Sequence, residues 1–224
     1  MTTITNVLFD LDGTLADTAP DLARSLNLLL EENGKPHLPF EAIRPMVSRG
    51  GIFMVCKAFN MTADEPAFPA LRERFLSIYE ANLDLETRLF PGMTEVLERL
   101  EANDCTWGIV TNKIERLTFP LIRSLCLTER AACIVCGDTV EHSKPHPAPM
   151  LHACQLVNRQ PAQTLYVGDA ENDVIAGRTA EMHTLVARYG YIGCEEEPDS
   201  WGADGLIDTP LEILDWLENK ATSH

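Results

Sequence analysis

Positive charge is scarce in this sequence. Lysine and arginine number 18 against 34 aspartates and glutamates, for a formal net charge of −16. A nucleic-acid partner would require a basic footprint, and so would an anionic membrane surface, so neither is expected. Long apolar runs are missing as well. No stretch of about 18 apolar residues exists, so nothing reads as a membrane span. The N-terminus lacks a basic segment followed by an apolar one and a small-residue cleavage site, so no export signal is expected. No G-x-x-x-x-G-K-[ST] occurs, which disfavours a nucleotide-binding kinase. The seven cysteines are odd in number and scattered, and Cys133 and Cys136 form a lone C-x-x-C. With no second pair or nearby histidine to complete a zinc site, and set inside the apolar run 131–136, they read as small buried hydrophobes. Reduced thiols and no export signal make the cytoplasm the expected compartment.

What is present suits a soluble globular protein. Hydrophobic residues make up 45 % and charged residues 23 % of 224 residues. That is enough for a sizeable core, in one large domain or in a core with a smaller second domain. Short apolar runs, at Val7-Leu8-Phe9, 106–110, 132–136, 164–167 and 184–187, alternate with amphipathic helical stretches. Continuous apolar strands separated by helices predict a parallel sheet buried on both faces, an α/β doubly wound core. Such sheets bind ligands beyond the carboxyl ends of their strands. Four of the five predicted strand ends carry Asp, Thr or Asn.

One segment breaks the alternation. From about Asp17 to Asp84 only helical patterns occur, which predicts a helical second domain over 17–83 and a catalytic core over 1–16 and 84–224. Thr18 with Asp21 reads as a capping box, with Pro20 in the first turn. Leu22, Leu26, Leu29 and Leu30 recur at helical spacing until Gly34 and Pro36, and Phe68, Leu71, Phe75, Ile78 and Tyr79 mark another helix. Ser48-Arg49-Gly50-Gly51 interrupts the helical pattern and predicts a loop.

The chemistry gathers at the strand ends. Asp10 and Asp12 lie two apart in Asp10-Leu11-Asp12-Gly13-Thr14, so in extended backbone their side chains leave on one side. A carboxylate can attack phosphorus to form an acyl-phosphate, and a second one can protonate the leaving alkoxide and later deprotonate water. Adjacent carboxylates call for a cation, and magnesium prefers such oxygen ligands. Gly168-Asp169-Ala170-Glu171-Asn172-Asp173 offers Asp169 as a further metal ligand, with Asp173 close by as another, bound to the metal directly or through a ligand. Thr111 and Asn112 offer a hydroxyl and an amide to phosphate, and Lys144 the positive charge a transferring phosphoryl group needs. Taken singly, each has a bland counterpart. D-x-D-G-T could be a calcium loop but lacks the terminal Glu of an EF-hand. Thr-Asn after a strand is commonly a turn, and Lys-Pro a solvated loop. His142 and His146 stand at metal-like spacing, yet Pro145 forbids a regular helix between them, so they read as loop residues.

Asp10-Leu11-Asp12-Gly13-Thr14, Thr111-Asn112, Lys144 and Gly168-Asp169…Asp173, in this order, resemble the four motifs of the haloacid-dehalogenase superfamily. The helical insert resembles that superfamily's C1-type α-helical cap. The resemblance implies a Rossmann-like core, Asp10 as nucleophile and Asp12 as acid/base. It also implies magnesium held by Asp10, the Asp12 carbonyl and Asp169, with Thr111 and Lys144 on phosphate. The dehalogenases need no metal and lack the second aspartate, so Asp12 points to phosphoryl transfer. The chain is most similar to the phosphoglycolate-phosphatase branch. Within it, 107–113, Arg188-Tyr189-Gly190-Tyr191-Ile192 and Trp201-Gly202-Ala203-Asp204 look like the N-acetylmuramic acid 6-phosphate phosphatases.

The expected activity is magnesium-dependent hydrolysis of a small phosphomonoester through an aspartyl-phosphate. A phosphomutase shares both aspartates and the cap, and a catalytically silent binding protein on the same fold would have lost a motif residue; none is missing. The two leading substrates, 2-phosphoglycolate and N-acetylmuramic acid 6-phosphate, each carry a carboxylate. Arg49 could pair with it, and it reads equally well as a surface residue. Nothing in the sequence speaks to oligomeric state.

Overall fold

The computed structural model describes residues 3–222. Its strands are β1 (Asn6–Phe9), β2 (Ala16–Asp17), β3 (Arg88–Leu89), β4 (Thr106–Val110), β5 (Ile134–Val135), β6 (Thr164–Gly168), β7 (His183–Ala187) and β8 (Gly205–Ile207). Its helices are α1 (Ala19–Glu32), α2 (Phe40–Ile43), α3 (Gly50–Phe59), α4 (Phe68–Glu80), α5 (Met93–Ala102), α6 (Glu115–Ser124), α7 (Ala148–Leu156), α8 (Glu171–Thr179) and α9 (Glu212–Thr222).

Six strands form one parallel sheet in the order β5-β4-β1-β6-β7-β8. Every residue of β1 and β6 is buried, which is why these strands read as unbroken apolar runs rather than as alternation. The chain leaves β1 toward β4 and β5, then returns to lay β6, β7 and β8 on the other side. The order therefore reverses between β1 and β6, the crevice in which open α/β sheets take their ligands. Asp10 follows β1 and Asp169 follows β6, so both carboxylates arrive at that crevice.

α1 to α4 build most of a second apolar cluster, which Phe90, Leu117 and Tyr191 of the core join. Leu22, Leu26, Leu29 and Leu30 of α1 pack with Val47, Met54, Phe75 and Tyr79. α1 contacts α4 and α3, and α4 contacts α3. The predicted Ser48–Gly51 loop is helical instead: a 3-10 helix runs Arg44–Arg49 and α3 begins at Gly50, whose φ of 82° supplies the break.

Three further local expectations differ. β2 and β3 pair antiparallel, Ala16 with Leu89 and Asp17 with Arg88, so a strand does enter the supposedly strandless stretch. Two residues show no periodicity, and their partner is remote in sequence. β8 was not foreseen, because a three-residue edge strand with one buried residue leaves no apolar run. β5 covers only the centre of the run 132–136.

The predicted capping box is also absent. The Thr18 hydroxyl donates to Asp12 at 2.5 Å, and Asp21 accepts from Thr87 N–H at 2.9 Å and its hydroxyl at 2.8 Å. The start of α1 is instead closed by Tyr191. Its hydroxyl accepts from the N–H groups of Thr18 at 2.6 Å and Ala19 at 3.0 Å, and donates to Asp17 at 2.8 Å. Thr18 and Ala19 are fully buried, so these donors have no water to fall back on. Tyr191→Phe should therefore lower unfolding free energy by roughly 2 kcal/mol or more. The urea midpoint should fall at constant m-value; an unmoved midpoint would show that Tyr191 does not close the helix.

Candidate active site

β1 delivers Asp10 to the crevice. Its Oδ1 accepts from Leu11 N–H at 2.8 Å and pairs with Lys144 Nζ at 2.9 Å, while Oδ2 accepts no hydrogen bond among the described residues. The chain then turns through Gly13 at φ 82°, where a Cβ would collide with the Asp169 carboxylate and the Tyr191 ring. Glycine here lets two strand-end loops touch. Asp12 is turned away from Asp10's partners. Its Oδ1 accepts from Thr18 and pairs with Lys113 Nζ at 3.0 Å.

Lys113 was not singled out from the sequence, although it directly follows Thr111-Asn112. Its side chain is 7 % exposed, and its ammonium also donates to the Tyr79 hydroxyl at 3.2 Å, so it links the core acid to α4. Burial opposes its charge, but Asp12 and Tyr79 outweigh burial and hold its pKa above the ordinary value. Thr111 accepts from Lys113 N–H at 3.1 Å, which leaves its own proton to donate. Asn112, expected to offer its amide to phosphate, commits it elsewhere. Its Nδ2 donates to Lys144 O at 3.0 Å and its Oδ1 accepts from Lys144 N–H at 3.0 Å. The amide thus fixes the backbone that carries the lysine.

Lys144 is 3 % exposed and bridges Asp10 and Asp173, the latter at 2.7 Å. Burial opposes its charge, yet these two carboxylates outweigh it and raise its pKa. Asp173 is fully engaged: Oδ1 takes Lys144 and the Tyr166 hydroxyl at 3.1 Å, and Oδ2 takes Ala170 N–H at 3.0 Å. Asp169 is not. Its Oδ2 accepts from Ser48 at 2.7 Å and from Tyr191 N–H at 2.8 Å, but its buried Oδ1 has no partner among the described residues.

Asp10, Asp169 and Asp173 place ligand atoms within 4.8 Å of one another. One ammonium cannot balance three carboxylates in a largely buried crevice. Burial, reinforced by Asp173 and Asp12 against the pull of Lys144, pushes Asp10 up to about 7. Burial and the charges of Asp10 and Asp173 push Asp169 up to about 8. A cation would relieve this repulsion, and the free oxygens of Asp10 and Asp169 are hard donors suited to a divalent ion of the magnesium class. The Asp12 carboxylate, paired with Thr18 and Lys113, is not part of this group.

Above lies a cavity of about 320 Å³, at the small end of the range for small-molecule sites. Its floor includes Asp10, Asp12, Thr111 and Lys113, and α1, α3 and α4 supply the opposite wall. Arg49 lines that wall with its guanidinium 3.6 Å from the centre of the Phe53 ring, a stacked cation. Gly51 also lines it; a Cβ there would stand 3.1 Å from the Phe75 ring, so its smallness serves the packing of α3 on α4.

The remaining candidates stay outside. Cys133 and Cys136 are buried, and burial pushes their thiols up to about 12 and about 11, values that leave little thiolate. His142 and His146 lie with ring centres 4.6 Å apart and planes tilted by 50° in an exposed loop, with His146 Nδ1 already accepting from Ala148 N–H at 3.1 Å. No helix among the described residues is long and apolar enough to cross a membrane.

Known proteins resemble this chain in sequence and in fold. A family model described as haloacid dehalogenase-like hydrolase matches residues 7–187. An N-acetylmuramic acid 6-phosphate phosphatase of Pseudomonas putida is 44 % identical over 92 % of this chain and 93 % of its own. A phosphoglycolate phosphatase of Xanthomonas campestris is 42 % identical over 92 % of this chain and 93 % of its own. In three dimensions, a crystal structure described as a predicted phosphoglycolate phosphatase from Haemophilus somnus superposes with a TM-score of 0.86. It is 29 % identical and covers 96 % of this chain and 99 % of its own.

Proposed function

The chain belongs to the haloacid dehalogenase-like hydrolases and is a phosphatase; on that premise we propose that it hydrolyses a small phosphomonoester through an aspartyl-phosphate on Asp10, with magnesium as the cation. The observation that carries this reading is Asp10 itself. Lys144 holds one of its oxygens, the other accepts no hydrogen bond among the described residues, and the residue floors a roofed cavity.

In this mechanism Asp10 attacks phosphorus while the leaving oxygen takes a proton from Asp12. That role needs the Asp12 carboxyl held at the ester oxygen, and Lys113 and Thr18 hold it in place. Thr111 in the cavity and the Lys144 ammonium beside Asp10 would meet the charge that the phosphoryl oxygens carry in the transition state. Asp12 then takes a proton from the water that releases the phosphate. Asp10 and Asp169 would hold magnesium with the Asp12 carbonyl, and Asp173 would act by fixing Lys144. When bound, the cation neutralises phosphoryl and carboxylate charge.

We assign residues 17–83 as a cap and 1–16 with 84–224 as the catalytic core; the β2–β3 ribbon at the two crossings supports that division. The Ser48 hydroxyl on Asp169 is the kind of contact a closed cap makes. Sealing the site from water would protect the acyl-phosphate. The candidate substrates are 2-phosphoglycolate and N-acetylmuramic acid 6-phosphate, the compounds on which the two curated relatives act by name.

The test is phosphate release from a panel of phosphorylated metabolites with magnesium present. The purified protein should favour carboxylate-bearing phosphomonoesters over neutral sugar phosphates. Arg49→Ala should weaken that preference by on the order of tenfold, the value of a charge-assisted hydrogen bond. An unchanged ranking would return Arg49 to the surface, and a protein inactive on the whole panel would remove the reading.

A further inference from the structure

Arg72 is the unexplained charge of the cavity. Together with Phe75, Leu76 and Tyr79 it lines the cavity from α4, and this spacing of three, four and seven residues is one helix face. The face is ordered along its length. At the end near the core, the Tyr79 hydroxyl accepts from Lys113 Nζ at 3.2 Å, and Lys113 pairs with Asp12. Phe75 and Leu76 make the apolar middle, and Arg72 stands at the far end.

The chain has almost two acidic residues for each basic one, and its arginines near α4 find them. Arg74 forms a fork with Glu32 through contacts of 2.8 and 2.5 Å, and Arg116 pairs with Glu73 at 2.7 Å and Glu80 at 2.8 Å. Arg72, half-buried, makes no hydrogen bond, ion pair or ring contact among the described residues. Among the α1–α4 residues that line the cavity, the charged ones are Arg49 and Arg72. Arg49 is stacked on Phe53, whereas Arg72 lines the cavity with no partner for its guanidinium among the described residues.

We infer that Arg72 is a specificity-determining residue that binds a second anionic group, a carboxylate, at the substrate's end remote from the phosphate. The inference rests on the proposed phosphatase reading and adds a length to it. Seven residues of helix separate Arg72 from Tyr79, a rise of roughly 10 Å. A carboxylate one methylene from the ester oxygen, as in 2-phosphoglycolate, would lie near Asp10 and short of Arg72. A carboxylate on the far side of a sugar ring fits, with the ring against Phe75 and Leu76. The substrate class is thus an acidic sugar phosphate.

A matched pair tests this. N-acetylmuramic acid 6-phosphate and N-acetylglucosamine 6-phosphate differ by the lactyl ether that bears the carboxylate. The wild-type protein, with magnesium, should prefer the acid in kcat/KM. Arg72→Gln should shrink the preference by on the order of ten- to a hundred-fold, mainly through KM for the acid. Arg72→Lys, keeping the charge without the fork, should fall between. Arg123→Gln, at an exposed position on α6 outside the cavity, should leave the ratio as it is. The inference fails if Arg72→Gln lowers both substrates alike or neither. It also fails if Arg123→Gln moves the ratio equally, since overall charge would then be the cause. Wild-type cleavage of other phosphomonoesters without preference within the pair would overturn the inference and leave the phosphatase reading intact. Cleavage of no phosphomonoester would overturn that reading itself.

Discussion

Asp10→Asn should reduce turnover by roughly 10⁴-fold or more, the scale on which removing a covalent nucleophile is felt, while leaving a folded protein. An amide nitrogen or oxygen is a poor nucleophile toward phosphorus, and no neighbouring group can replace it: Asp12 is held by Thr18 and Lys113, and Asp173 by Lys144. The fold should survive because burial already disfavours the Asp10 charge, and Lys144 keeps Asp173 at 2.7 Å. Acid-quenched wild-type enzyme should carry substrate-derived phosphate on the peptide containing Asp10, and the variant none. Asp12→Asn should also be severely impaired, by about 10² to 10⁴-fold, because leaving-group protonation is lost. A folded Asp10→Asn protein with near-native activity would end the aspartyl-phosphate mechanism.

How much of this was legible beforehand follows from where each signal resides. Asp10, Thr111 and Asp169 could be read because buried parallel strands are continuous apolar runs, and a polar residue breaking such a run marks the strand's end. The strand order then brings the three together between β4, β1 and β6. The leucines of α1 were legible for a similar reason, since one buried helix face repeats at fixed spacing. Tyr191 was not. Its hydroxyl closes a helix 173 residues away, and local sequence suggested Thr18 and Asp21 for the same task. Those two side chains were drawn off by Asp12 and Thr87, a tertiary competition that capping statistics do not contain. Ser48 likewise reaches Asp169 across 121 residues. Arg72 did leave a trace: it continues the spacing of Phe75 and Tyr79, so a cation at the end of an apolar helix face was visible. That the face roofs a cavity was not.

Removing divalent metal should abolish activity, and activity should return with magnesium, whereas calcium, with its looser and higher coordination, should fail to substitute. The physical ground is the unbalanced crevice, and it predicts a second effect that does not depend on turnover. Asp169 has a folded pKa of about 8 against an ordinary 3.8. A carboxyl raised in this way favours the folded state while protonated, so its contribution is complete below the ordinary value. It is lost progressively as pH rises from there to about 8. The metal-free protein should thus weaken across that window, and magnesium should restore more stability at its upper end than at its lower. A ligand at a hundred times its Kd contributes about 2.7 kcal/mol, an easily measured rise in Tm. Asp169→Asn removes the charge while its amide oxygen can still accept from Ser48 and Tyr191. Without metal it should therefore melt at or above the wild-type temperature near pH 8, yet gain little from magnesium. Full activity in excess chelator would remove the cation from the mechanism. Equal magnesium stabilisation of wild type and Asp169→Asn would place the ion elsewhere, away from the unpartnered Oδ1.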